Sequence, residues 1–178
     1  MPLFKSLHIS DTDIATVTKM FGFWIALGGT FLASYIVRKL GLMVSLLVGT
    51  VAGSASHLSL AWLAGTGQGD FLPFAVAVSV EGLAYSFAQV VLITYMSSLA
   101  STKFAASQYA LMTSLCALPG SLLAGASGFV IVHTGFEEFF VGTSLIGVPV
   151  ALLAWFVWRN HPPGKADTIV DLAAQPPH

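Results

Sequence analysis

The sequence predicts an all-α polytopic membrane protein, a bundle of five transmembrane helices, from three observations. Only 8% of its 178 residues are charged and 56% are hydrophobic, whereas a soluble protein carries about 25% charged residues. Nearly all of the charge lies in short gaps between apolar stretches. Each stretch reaches the roughly 20 residues that a helix needs to cross the hydrocarbon core. The five stretches are Ile14–Val37, Leu42–Leu63, Phe71–Leu99, Phe104–Val132 and Phe139–Trp158.

Local signals predict where these helices begin and end. Ser10–Asp13 begins the first helix, because hydroxyl and carboxylate oxygens cap free N–H groups and suit the positive end of the helix dipole. Gly41 predicts a tight turn into the second helix, and the glycine-rich segment 65–70 predicts a loop before the third. Short turns at 101–103 and 133–135 end the third and fourth helices.

The distribution of Lys and Arg predicts the orientation. The basic residues near the helix ends share one side of the bundle, except for Lys5, and they are Arg38, Lys39, Lys103, Arg159 and Lys165. Because cationic loops are retained in the cytoplasm, we expect a cytoplasmic C-terminus and an N-terminus on the opposite side. The sequence then divides into an outer N-terminal segment (1–10), a five-helix transmembrane domain (11–160) and a disordered cytoplasmic tail (161–178).

Small residues recur at helix-packing spacing in three of the predicted helices. In lipid no hydrophobic force drives helices together, so small side chains that let backbones approach closely favour a packed bundle. Pro119 lies in the middle of the fourth helix and is expected to kink it. The glycines expected at helix contacts are Gly22, Gly49, Gly53, Gly120, Gly125 and Gly128.

The third helix contains the most informative polar residues. Glu81 lies about ten residues into the helix, hence roughly 15 Å deep, where a charge costs at least about 2.5 kcal/mol and must face a cavity or a partner. Tyr85 and Gln89 follow at four-residue steps and form one stripe with Glu81. Such a stripe lines either a water-filled path or a polar contact between helices.

Lys19 is a second charge within an apolar stretch, at a predicted depth of roughly 10–12 Å. We hypothesise that Lys19 and Glu81 face one another or share a polar cavity. The alternatives are that Lys19 extends to the membrane interface and that Glu81 is a neutral carboxyl bonded to a neighbouring helix. His57 is interpreted as a packing residue more readily than as a proton relay, and Gln108 as a contact either between helices or with substrate.

Several function classes lack their signature in this sequence. No HExxH pair or other metal-ligand spacing is present, no nucleophile stands beside a base, and no glycine-rich phosphate loop precedes a helix. The net charge of −1 offers no basic surface for nucleic acid. We therefore expect no enzyme, no metal, no cofactor and no nucleic-acid partner, and expect the lipid bilayer to be the surrounding medium.

The sequence resembles the AmpG-type muropeptide permeases of the major facilitator superfamily over roughly residues 2–159. The similarity is clearest from Val80-Glu81-Gly82 to the run Ala106-Ser107-Gln108-Tyr109-Ala110-Leu111, which is similar to the family's SATQ[FY]AL pattern. Other matching stretches are Leu7–Ile14, Lys19–Gly22, Gly125–Phe129 and Thr134–Phe136.

This resemblance implies most of the C-terminal half of a major facilitator fold, namely its last five helices, with residues 1–10 as the remnant of a missing helix or loop. It implies proton-coupled import of cell-wall muropeptides across the bacterial inner membrane, with a periplasmic N-terminus. Glu81 would then couple protons or contact substrate, and Lys19 would tune it or attract carboxylates. The chain is expected to be a permease fragment that needs an N-terminal transporter half.

Two alternatives remain open from the sequence. The first is a facilitator for another small solute, such as a sugar, a drug or a metabolite. The second is a non-transporting membrane subunit, in which Glu81, Tyr85 and Gln89 are enclosed in a bundle without an accessible cavity.

Overall fold

The computed structural model describes residues 3, 4, 7, 9–66, 70–100 and 104–160. The described residues form helices and no strands, which confirms the predicted all-α class. The four long helices are α1 (Asp11–Leu40), α2 (Leu42–Thr66), α3 (Phe71–Leu99) and α4 (Ala105–Asn160). The predicted turn at 101–103 and the predicted tail at 161–178 lie outside the described residues.

The predicted number of helices was wrong, because four helices among the described residues are long and apolar enough to cross a membrane, rather than five. The fourth and fifth predicted helices are joined in α4, which is 56 residues long. Within α4 only Gly135 departs from helical dihedral angles, with a φ of 84° and a ψ of 171°. The residues before and after it are helical. A straight helix of this length would span roughly 84 Å, far more than the roughly 30 Å hydrocarbon core.

The start of α1 agrees with the sequence. The Ser10 hydroxyl oxygen accepts a hydrogen bond from the Asp13 backbone N–H at 3.1 Å, and the Ser10 hydroxyl donates to the Asp13 carboxylate at 2.7 Å. This cap satisfies one of the free N–H groups of the first turn. One turn later α1 contains a π-helical segment, Val17–Phe21, which carries Lys19.

Helix α3 packs against both α1 and α2. Along α1, Ile25 contacts Gly82, and Gly29 lies against Ser86, so α1 and α3 run parallel. Helix α2 runs in the opposite direction, because its Gly53 lies near Ala88 and its Ser59 hydroxyl donates to the Ala77 carbonyl at 3.2 Å. The reversal between α1 and α2 occurs at Gly41, where φ is 80° and ψ is 165°.

The contacts of α4 show that its two arms run in opposite directions. In the C-terminal arm (136–160), Glu137 lies beside Gly65, and Gly147 is in contact with Ser54, so this arm is antiparallel to α2. The N-terminal arm (105–134) follows the end of α3 and meets it where Cys116 approaches Met96. Gly135 therefore reverses the chain with nearly the dihedral angles of Gly41. Below, the C-terminal arm, which packs on α2, is called the proximal arm (136–160), and the N-terminal arm is called the distal arm (105–134).

The N-terminal segment contributes to the core. Leu3, Phe4, Leu7 and Ile9 are buried at the Gly135 end of the bundle. The Phe4 ring meets the Phe74 ring edge to face, with centroids 4.7 Å apart. The other buried members of this cluster are Val17, Leu60, Leu63, Phe74 and Ala77. The described part of this segment therefore covers the ends of α2 and α3.

Of the six glycines predicted at helix contacts, two pack against another helix among the described residues and four do not. A Cβ on Gly49 would lie 3.3 Å from the Phe87 ring, and one on Gly53 would lie 3.8 Å from the Ala88 Cβ, so both glycines pack against α3. Gly22 would meet only its own helix, at the Val17 carbonyl oxygen. Gly120, Gly125 and Gly128 in the distal arm have no described atom within 4 Å of an added Cβ. The helical dihedral angles of α4 continue through Pro119 and are interrupted at Gly135.

Replacing Gly29 by Ala tests the contact between α1 and α3. The new Cβ would lie 2.7 Å from the Ser86 Cβ and 3.0 Å from the Leu83 carbonyl oxygen, so the helices must shift. We expect the free energy of unfolding in lipid or mild detergent to fall by about 1–3 kcal/mol. Gly125→Ala is the matched control, since its Cβ meets no neighbour, and it should be neutral or slightly stabilising. Equal destabilisation by both variants would contradict the packing.

Single cysteines in a Cys116→Ser background test the reversal at Gly135. Membrane-impermeant thiol reagents should label Glu138→Cys and Asp70→Cys from the same side, because the proximal arm begins beside the Gly65 end of α2. Arg159→Cys should be labelled from the opposite side, since it ends that arm. Labelling of positions 138 and 159 from one side would rule out the reversal.

Candidate functional site

The predicted polar stripe lies on one face of α3. The Gln89 side-chain amide donates a hydrogen bond to the Tyr85 hydroxyl at 2.9 Å, across one helical turn. Tyr85 is 63% exposed, whereas Glu81 and Gln89 are half-buried. The four-residue spacing therefore does bring Tyr85 and Gln89 together, with donor and acceptor atoms available in the membrane region.

Neither α1 nor α2 covers the face of α3 that carries Tyr85 and Gln89. Gly82 and Ser86 are the residues of α3 that meet α1, whereas Ala77 and Ala88 meet α2. Met96 follows Tyr85 by eleven residues, which is three helical turns, and its sulfur lies 4.0 Å from the Cys116 sulfur of the distal arm. The stripe therefore opens into the space between α3 and the distal arm, which we call the α3–α4 cleft.

The distal arm forms the other wall of this cleft. Tyr109, Met112 and Thr113 are half-buried and precede Cys116 at helical spacing, so this face of the arm looks toward α3. Gly120, one turn beyond Cys116, has no described neighbour within 4 Å. The two walls thus meet near Cys116 and separate toward the Gly135 end. Gln108, a predicted substrate contact, lies exposed at the start of this arm.

Lys19 does not lie at the level of Glu81. Because Ile25 contacts Gly82 and α1 runs parallel to α3, Lys19 lies about five residues, or roughly 7–8 Å, closer to the Gly135 end than Glu81 does. Lys19 is exposed on its π-helical segment. The residue of α2 at the level of Glu81 is His57, because Gly53 lies near Ala88 and the Ser59 hydroxyl donates to the Ala77 carbonyl. The structure therefore brings Glu81 together with His57 and not with Lys19.

His57 is a half-buried polar residue that the sequence interpretation did not place at the level of Glu81. Its Nδ1 atom is buried and has no hydrogen-bond partner. A usable signal was present, because His57 precedes the predicted loop 65–70 by eight residues and Glu81 follows it by eleven. In two antiparallel helices joined by a short loop, such positions lie at nearly equal depth.

Two cavities among the described residues are apolar and lie outside this site. One of about 350 Å³ lies between α1, α2 and α3, and another of about 310 Å³ lies between α2 and the proximal arm. Their walls are mostly aliphatic, so acyl chains suit them better than a hydrophilic solute. Among the described residues, no group of three or more His, Cys, Asp or Glu side chains could hold a metal ion.

Thiol labelling at position 85 tests whether water reaches the α3–α4 cleft. In a Cys116→Ser background, Tyr85→Cys should react with a water-soluble maleimide, because the Tyr85 side chain is 63% exposed on the polar face. Phe87→Cys is the control, since Phe87 is only 3% exposed and is packed against α2. Protection of both positions in the membrane would show that the stripe faces lipid or a closed contact.

Comparison with known proteins gives a consistent set of relatives. The AmpG 3 protein of Rickettsia prowazekii, whose name gives it as a transporter, is 28% identical over 160 residues, which are 90% of this chain and 38% of that protein. AmpG 4 of Rickettsia felis is 24% identical over 88% of this chain and 37% of its own length. AmpG 1 of Rickettsia bellii is 27% identical over 85% of this chain and 37% of its own length.

No protein-family model matches the chain, and no solved structure matches it. The chain spans somewhat less than two fifths of the length of the curated relatives that it matches. These relatives share one name and cover 85–90% of the chain. The resemblance noted in the sequence is therefore confirmed: this multi-pass membrane protein is similar to proteins named AmpG over 85–90% of its length.

Proposed function

We propose that this chain is part of a permease that imports cell-wall muropeptides together with protons. The observation that carries the proposal is the similarity to proteins named as AmpG transporters, which extends over 85–90% of the chain. The α3–α4 cleft supports it, because a transporter needs polar groups inside the membrane that face a solute path. On this basis the chain has no enzymatic activity of its own.

The polar stripe supplies suitable chemistry for such a solute. A muropeptide consists of sugar hydroxyls, amides and carboxylates, and the Tyr85 hydroxyl and the Gln89 amide can both donate to and accept from these groups. Lys19 lies exposed nearer the Gly135 end, where a cation would attract the carboxylates of an approaching substrate. Gln108 would extend the polar path along the distal arm. Glu81 would exchange the proton.

A further set of helices is proposed to complete the transporter. Alternating access moves one half of a transporter against the other around a site at their interface, and the relatives are more than twice as long as this chain. The distal arm presents Gly120, Gly125 and Gly128 with no described neighbour, which suits the close approach of another helix. We propose that the N-terminal half of the transporter packs there and closes the cleft.

The proposed location is the bacterial inner membrane. Arg38, Lys39 and Arg159 lie at the Gly41 end of the bundle, and Asp70, Glu137 and Glu138 lie at the Gly135 end. Retention of cations on the inner side would place the Gly41 end and the C-terminus in the cytoplasm. The Gly135 end and the N-terminal segment would then face the periplasm.

Uptake of a labelled anhydro-muropeptide tests the function. The gene that contains this sequence should restore uptake to bacterial cells that lack their own permease, and a protonophore should abolish that uptake. Glu81→Gln should lower the rate at least about tenfold, because it removes the titrating group but keeps the size of the side chain. Phe31→Leu, at a 72% exposed position of α1, should leave the rate unchanged.

Two outcomes would contradict this function. If the cells take up a labelled sugar or another metabolite but no muropeptide, the result would support the alternative of a facilitator for another small solute. Proton-driven muropeptide uptake that is equal in wild type and Glu81→Gln would retain the permease but remove the coupling role of Glu81.

A further inference from the structure

Two contacts between α2 and α3 bracket one histidine and one carboxyl group. Gly53 packs near Ala88, and the Ser59 hydroxyl donates to the Ala77 carbonyl at 3.2 Å. His57 lies between Gly53 and Ser59 along α2, and Glu81 lies between Ala77 and Ala88 along α3. Antiparallel packing therefore holds His57 and Glu81 at one level.

The imidazole of His57 is incompletely satisfied in this position. Its Nδ1 is the one buried side-chain nitrogen or oxygen among the described residues that lacks a hydrogen-bond partner. Leaving such an atom without a partner costs about 1–3 kcal/mol. Buried serines and threonines nearby bond to backbone carbonyls, as Ser56 does to Gly53. The arrangement thus leaves one proton-binding atom without a hydrogen-bond partner at the level of the Glu81 carboxyl group.

We propose that His57 and Glu81 act as one proton site between α2 and α3. Because Nδ1 of His57 has no hydrogen-bond partner in this arrangement, a shift of α2 against α3 must first bring the two groups into contact; the O–H bond of the Glu81 carboxyl then breaks as an N–H bond forms on Nδ1 of His57, and the reverse step returns the proton. The inference rests on the proposed function and deepens it, because it adds a second titrating residue on a different helix to the role proposed for Glu81. Relative movement of α2 and α3 would then open or close the transfer path.

The net charge of the His57–Glu81 pair in each protonation state indicates which kind of solute would be transported together with its proton. With one proton the pair has zero net charge, either as carboxylic acid and neutral imidazole or as carboxylate and imidazolium. A second proton gives it a net charge of +1, and loss of the first gives −1, both of which are costly in lipid. An anionic solute in the cleft would offset the positive charge, so the pair would load its second proton together with an anion.

The other charged groups lie at different levels of the bundle. On α1, Lys19 is roughly 7–8 Å closer to the Gly135 end. On the proximal arm, Ser54 contacts Gly147 and Gly65 contacts Glu137, so Glu137 and Glu138 belong to the end of that arm rather than to the level of His57. On the distal arm, His133 lies in the last turn before Gly135. On α3 itself, the nearest titratable group is Tyr85.

Coupled titration in lipid nanodiscs tests the pair directly. The 178-residue chain with ¹⁵N-labelled histidine would be followed by solid-state NMR, with the His57 signal identified from its loss in His57→Gln. The Glu81 carboxyl band would be followed by infrared difference spectroscopy and identified from its loss in Glu81→Gln. Because interacting groups titrate as a pair, each substitution should move the titration midpoint of the other residue by at least about one pH unit. His133→Gln should move neither midpoint.

The result distinguishes the pair from the transport function. Midpoints that do not change on substitution of the partner residue would overturn the inference, whether or not the protein transports muropeptides. Shifted midpoints support it, and the reciprocal measurement remains informative if one of the two variants fails to fold. Absence of muropeptide uptake by the whole protein would overturn the proposed function alone and leave the coupled titration intact. In a transporting protein, His57→Gln should reduce proton-driven accumulation at least about tenfold.

Discussion

The close approach of α2 to α3 determines most of this structure. Lipid supplies no hydrophobic force between helices, so the two backbones must come together through small residues. Gly49 and Gly53 allow that approach, because a Cβ at Gly49 would already press on the Phe87 ring at 3.3 Å. The same contact fixes the register of α2 against α3. Register in turn decides which polar side chains share a level inside the membrane.

The placement of the other helices follows from the faces that this pair leaves free. Gly29 lets α1 pack on a second face of α3, and Gly147 lets the proximal arm pack on the far side of α2. The face of α3 that carries Tyr85 and Gln89 then has only the distal arm opposite, which it meets near Cys116. The polar cleft is thus a consequence of where the small residues lie. The N-terminal segment covers the ends of α2 and α3 through Phe4 and its neighbours.

The sequence predicted the parts of this structure that depend on local spacing. The capped start at Ser10, the apolar stretches and the stripe formed by Tyr85 and Gln89 all follow from composition and helical periodicity. The sequence did not predict the helix count, because residues on both sides of Gly135 remain helical and no loop separates the two arms. Lys19 was expected at the depth of Glu81 because depth was counted along each helix alone. The offset between the parallel helices α1 and α3, set by Gly29 and Ser86, is a property of packing that neither helix shows by itself.

The distance between His57 and Glu81 tests this account most directly, because it depends on the register of α2 against α3 and on the direction of both side chains. Rotational-echo double-resonance NMR on the chain in lipid bilayers can measure the separation between the Glu81 carboxyl carbon and the His57 Nδ1 nitrogen. If α2 and α3 pack in this register, the dephasing should be measurable and should correspond to about 4–6 Å, the range in which two such groups affect each other's charge. No measurable dephasing between these atoms, with the helices intact by circular dichroism, would contradict the register and with it the proposed proton site.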